Sequence, residues 1–126
     1  MKELIVPKKI QQGDTVAFIS LSGGRAGDAD MRQRYDIGKK RFEELYQVQV
    51  IETPNALAGS EYLYKHPEKR AEDLMWALKN KNVKAIICNM GGDDSYRVLP
   101  YIDMQVIRDN PKIFMGYSDT TVNHLM

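Results

Sequence analysis

Hydrophobic and polar positions follow two periods along this chain. Thr15-Val16-Ala17-Phe18-Ile19-Ser20, Val48 to Ile51, Val83 to Cys88 and Lys112 to Met115 are short runs rich in β-branched and aromatic residues. They predict strands, and the nearly unbroken apolarity of the longer runs predicts cover on both faces. Between the runs the spacing changes to three and four. Met31, Tyr35, Gly38, Phe42 and Leu45 fall on one face of a helix from about Asp28 to Tyr46, with Arg32, Arg34, Lys39, Lys40 and Glu43 on the solvated side. Pro67 opens a second helix, with Glu68 beside it and Ala71, Leu74, Met75 and Leu78 as its buried stripe. That helix runs out at Lys79-Asn80-Lys81-Asn82, where cations complement the helix dipole. Shorter helical stretches are expected before Leu99-Pro100, from Met104 to Asp109, and from Ser118 onward. Met1 to Gln12 reads as a lead-in, Gly13-Asp14 as a turn, and Thr53 to Ser60 as a loop. Strands alternating with helices predict an α/β domain over residues 1–126, with a mainly parallel sheet and helices on both faces.

Composition narrows the class. Hydrophobic residues make up 43% and charged residues 28%, the balance of a soluble globular domain. The 18 basic and 17 acidic side chains leave a net charge of +1, without the basic excess of a nucleic-acid binder. No apolar run is long enough to span a bilayer, and Met1 to Pro7 lacks the apolar core of a secretory signal. The single cysteine, Cys88, excludes an internal disulfide and fits a reducing, cytoplasmic setting. Its place in an apolar strand reads as core packing rather than thiol chemistry.

The candidate chemistry sits on the loops that follow strands. Gly116-Tyr117-Ser118-Asp119 turns a strand directly into a helix. One reading is a nucleophile elbow, with Ser118 attacking and the Asp119 N–H binding an oxyanion. The other is an ordinary helix cap, since serine favours that position, and Thr120 stands where the usual elbow pattern has a second glycine. In Gly91-Gly92-Asp93-Asp94-Ser95 a glycine N–H could face a ligand, or the turn could simply be capped by Asp93 or Asp94. The adjacent carboxylates have no third ligand at metal-binding spacing, so neither a metal nor a cofactor is expected. Leu21-Ser22-Gly23-Gly24 matches no phosphate-loop pattern and reads as a glycine turn. If the strands are neighbours, the three loops meet at one sheet edge.

A base for Ser118 is not evident. His66 precedes Pro67 and reads as a surface residue. His124 follows Ser118 by six positions, about 600° around an α-helix, so the two would point to different sides. Arg70 and Asp73 read as an i,i+3 surface pair, Arg97 as a solvated cation with a substrate-carboxylate binder as the alternative, and Trp76 as a packing residue in the core or at an edge.

Taken together these segments resemble the N-terminal part of the LD-carboxypeptidase and microcin-immunity serine peptidases. The resemblance runs in order through Gly13 to Ser22, Lys69-Arg70-Ala71-Glu72-Asp73-Leu74-Met75, and Val83 to Cys88. It continues through Gly91-Gly92-Asp93-Asp94-Ser95, Leu99-Pro100-Tyr101-Ile102-Asp103, and Pro111 to Thr120. The last three segments are the specific ones. The resemblance implies a flavodoxin-like domain with Ser118 as nucleophile and oxyanion donors at the Gly92 and Asp119 N–H groups. Gly91 and Asp93 would lie against substrate.

In that family the triad is Ser-His-Glu, and its His and Glu belong to a C-terminal domain. The expectation is therefore a nucleophile-bearing domain without the domain that completes the triad, inactive alone. The implied substrates are amides: a cell-wall peptide at an L–D bond, or an aminoacyl-nucleotide. The Gly91 to Ser95 loop looks closer to the immunity branch. Expected partners are such a small substrate, the C-terminal domain and a possible second copy of the chain, with no nucleic acid or membrane. A domain of another class, one that binds a small ligand without catalysis, is the alternative.

Overall fold

The computed structural model describes residues 3–126. Met1 and Lys2, the start of the lead-in, lie outside the described residues. The sheet has four parallel strands, β1 (Thr15–Ile19), β2 (Gln49–Glu52), β3 (Val83–Cys88) and β4 (Ile113–Met115), in the order β2-β1-β3-β4. The helices are α1 (Ala29–Tyr46), α2 (Ser60–Lys65), α3 (Pro67–Lys79) and α4 (Met104–Asp109). Three 3₁₀ segments, Arg25–Gly27, Ser95–Tyr101 and Ser118–Leu125, complete the path. Among the described residues no helix is long and apolar enough to cross a membrane.

Alternate residues of β1 feed two cores, as a strand covered on both faces requires. Ala17 and Ile19 pack with Leu74, Ala77 and Leu78 of α3, while Val16 and Phe18 pack toward Tyr35 and Phe42 of α1. Phe18 meets both aromatic rings edge-on, at centroid distances of 6.2 and 5.3 Å. A bulge sets the side-chain phase of β3. Thr15 pairs with Val83 but Val16 pairs with Ala85, so Lys84 is an extra residue. Val83 and Ile86, three apart, therefore share the α3 face.

The α1 stripe differs from the predicted one. Leu45 is 73% exposed, and Gly38 is also exposed. The inward face instead carries Lys39 and Glu43, both expected on the solvated side. Lys39 Nζ and the Tyr35 hydroxyl donate to Glu52 of β2, at 2.7 and 3.0 Å. Glu43 accepts from the Val50 N–H at 3.1 Å. The physical reason is that β2 is an edge strand, so polar side chains of α1 satisfy groups that a purely apolar helix face would leave open.

Two further elements depart from the sequence pattern. Helix α2 occupies residues between the predicted loop and Pro67. It is held to α1 because the Asp28 carboxylate accepts from the Ser60 N–H at 2.8 Å and from the Ser60 hydroxyl. The segment from Ser118 is 3₁₀ rather than α-helical.

Candidate active site

The chain crosses to opposite sides after β1 and after β3, so these strands flank the switch point of the sheet. The crevice at their carboxyl ends is where open α/β sheets take ligands. The loops after β1, β3 and β4 converge there.

β4 stops at Met115, Tyr117 is fully extended (φ −149°, ψ −177°), and Ser118 then adopts φ +58°. This left-handed backbone is rare for serine and swings its exposed side chain off the sheet edge. Ser118 is not a helix cap: Tyr117 holds the cap position, and no side-chain capping bond is made. A side chain at Gly116 would run into Thr120 and Cys88, so the elbow is tightly packed from below. Burial pushes the Cys88 thiol up to about 11, leaving it inert.

Gly91 lies directly against Ser118. A Cβ placed on Gly91 would stand 3.2 Å from both Cβ and Oγ of the serine. The Gly91 carbonyl accepts from the Gly23 N–H at 3.1 Å, which points that carbonyl toward the β1 loop. Because the peptide is planar and trans, the Gly92 N–H on the same unit points the opposite way, toward the β4 side.

Asp119 stitches the three loops together. Its Oδ2 accepts from the Ser22 hydroxyl at 2.5 Å and from the Ser95 N–H at 2.8 Å, and its carbonyl accepts from the Ser95 hydroxyl at 2.8 Å. Burial raises the Asp119 pKa, but these bonds from Ser22 and Ser95 outweigh it and hold the carboxyl below its ordinary value. Sequence reasoning assigned only the backbone N–H of Asp119 and missed its carboxylate. The available signal was a serine close after two other strands, at Ser22 and Ser95.

Arg70 is fully buried, not part of the expected surface pair. Its guanidinium makes a two-pronged bridge to Asp94, at 3.0 and 3.1 Å, and also donates to the Leu21 and Ser22 carbonyls at 3.1 and 3.3 Å. Arg97 reaches the same Asp94 at 3.0 Å and the Tyr64 carbonyl at 2.8 Å. Asp73, the expected partner of Arg70, is buried with Thr53 and Asn55 instead. Helix α3 buries its acidic and basic side chains here because the loops on this side offer partners for both.

Neither histidine serves Ser118 in this arrangement. His66 Nδ1 contacts Glu68 at 2.8 Å. His124 Nε2 lies 3.0 Å from the Gly116 carbonyl, and its ring packs edge-on to Phe114. The rotation argument fails, since six residues of 3₁₀ helix complete two turns. His124 Nε2 is nevertheless turned onto the Gly116 carbonyl rather than onto the Ser118 hydroxyl.

Asp93 is exposed. It lines a cleft of about 430 Å³ together with Gly92, Ser22, Gly23, Ser60 and Tyr64. A larger groove of about 730 Å³, lined by Trp76, Met75 and Tyr101 among others, includes none of the three strand-end loops. Among the described residues no group of three His, Cys, Asp or Glu side chains could hold a metal ion.

Residues 16–126 match the model of the LD-carboxypeptidase N-terminal domain. A probable murein peptide carboxypeptidase of Bacillus subtilis is 35% identical over 94% of this chain and 35% of its own length. The microcin self-immunity protein MccF of Escherichia coli is 32% identical over 86% of this chain and 31% of its own length. A solved MccF-like protein from Streptococcus pneumoniae, in complex with AMP, superposes with a TM-score of 0.83 at 39% identity. It covers 91% of this chain and 34% of its own. The chain thus spans about a third of the length of its relatives. Over the strands, the elbow and the glycine loop alike, the chain belongs to the LD-carboxypeptidase family and matches its N-terminal domain.

Proposed function

We propose that this chain carries the nucleophile of a serine peptidase that hydrolyses an amide bond. The observation behind this reading is the left-handed Ser118 at the end of β4 with Gly91 against its hydroxyl. In the proposed reaction a histidine from a C-terminal domain takes the Ser118 proton, and Oγ attacks the scissile carbonyl. The N–H groups of Gly92 and Asp119 receive the oxyanion, the histidine passes the proton to the departing amine, and water that gives up a proton to the same histidine hydrolyses the acyl-enzyme and frees Ser118. In this reading Gly91 and Asp93 contact the substrate.

Two amide classes fit: a cell-wall peptide cut before its terminal D-residue, and an aminoacyl-nucleotide. The second draws support from relatives solved with AMP and with aspartyl sulfamoyl adenosine. The chain without a base-bearing domain is expected to be inactive, because an unassisted serine hydroxyl is a poor nucleophile at neutral pH.

The test is fluorophosphonate labelling of a protein that joins this chain to a C-terminal domain of the family. Labelling that disappears in Ser118→Ala supports the nucleophile. Equal labelling of both forms refutes it and favours a ligand-binding domain. Mass spectrometry of the same protein incubated with an L,D-tetrapeptide or with aspartyl sulfamoyl adenosine then separates the two substrate classes.

A further inference from the structure

We infer that Arg70 is a positioning residue for the oxyanion site, acting through Asp94 and the Gly23–Gly91 hydrogen bond. The inference rests on the proposed role of the Gly92 N–H. That N–H points toward the β4 side only while the Gly91 carbonyl is held by the Gly23 N–H, because both belong to one rigid peptide unit. The bond joins two loops from different strands, so something must keep the loops in register.

Arg70 spans both. On the β1 side its Nη1 donates to the Leu21 and Ser22 carbonyls, immediately before Gly23. On the β3 side both terminal nitrogens grip the Asp94 carboxylate, two residues beyond Gly92. Asp119 holds the same loops from the other side, through Ser22 and Ser95. The Gly91-Gly92 segment is thereby suspended between the end of β3 and a doubly anchored Asp94-Ser95.

Stability alone is a poor reason for this arrangement. A wholly buried guanidinium must be desolvated, and its Nε has no partner. Apolar replacements for buried ion pairs are often at least as stable. The planar fork of arginine supplies what they lack, fixed directions to a carboxylate and to two carbonyls at once. Lysine would keep the charge and lose the geometry.

Amide hydrogen exchange on the 126-residue chain tests the inference without requiring catalysis. The variants are Asp94→Asn and Arg70→Lys, with Arg97→Ala as a control that leaves the Arg70 bridge intact. In the first two, exchange of the Gly23 amide should accelerate by about 10-fold or more relative to the β1 amides of Val16 to Ile19. In Arg97→Ala it should change much less. Unchanged Gly23 exchange, or acceleration shared equally by the β1 amides, overturns the inference, and so does loss of folding in both variants, because each marks a purely structural bridge. Ser118 labelling in the wild-type two-domain protein is scored separately. Its absence removes the proposed nucleophile and leaves the exchange result standing.

Discussion

Ser118 keeps left-handed backbone angles that cost an L-residue about 1–2 kcal/mol. Glycine escapes most of that cost. Ser118→Gly should therefore be more stable than Ser118→Ala by about 1 kcal/mol in urea denaturation. Equal stability would mean that the elbow is not strained. Asp119 bears on acid stability. A carboxylate whose folded pKa lies below its unfolded value contributes stability above the unfolded value and loses it as pH falls through the folded one. Its pKa is lowered from 3.8, so the loss begins near that value and continues below it. Urea midpoints measured from neutral pH down to about pH 3 should fall more steeply for the wild type than for Asp119→Asn. Parallel curves would remove Asp119 from the acid transition. The Tyr-Ser-Asp order led to an expectation for this residue's backbone N–H, but to none for its carboxylate, whose partners stand 97 and 24 positions away.

At the scale of elements, the loop after β2 is bound to α3 through one buried carboxylate. Asp73 accepts from the Thr53 hydroxyl at 2.6 Å, from the Asn55 N–H at 3.0 Å and from the Asn55 side-chain amide at 2.7 Å. Asp73→Ala leaves those donors without their acceptor and should destabilise the chain by about 2 kcal/mol. Glu72→Ala, on the exposed side of the same helix, should stay within about 0.5 kcal/mol. Similar costs for the two would contradict the burial. Strand and helix positions followed from periodicity because the hydrophobic pattern is local. The inward face of α1 did not, since it is set by the open edge of β2 against which the helix lies. Helix α2 lacked a readable signal because six residues are too few to display a period.

Over the whole molecule, apolar surface gathers beside the edge strand β4. Met115 is 51% exposed, Tyr117 84% and Leu125 86%. Such a surface next to an unpaired strand edge favours association. Light scattering of the chain should detect dimers or larger species that grow with concentration, and a clean monomer at high concentration would count against it.

The division between pattern and contact is physical. Alternating periods, the turn residues and the Gly-Tyr-Ser-Asp order are properties of neighbouring positions. They were enough for a parallel α/β sheet and for Ser118 on a strand-end turn. Burial of Arg70, the Asp119 stitch and the direction of the Gly92 N–H arise where crossovers bring distant loops together. Arg70 shows why: its charge and helical spacing are those of a solvated residue, and only the carboxylate and carbonyls delivered by other loops let it be buried.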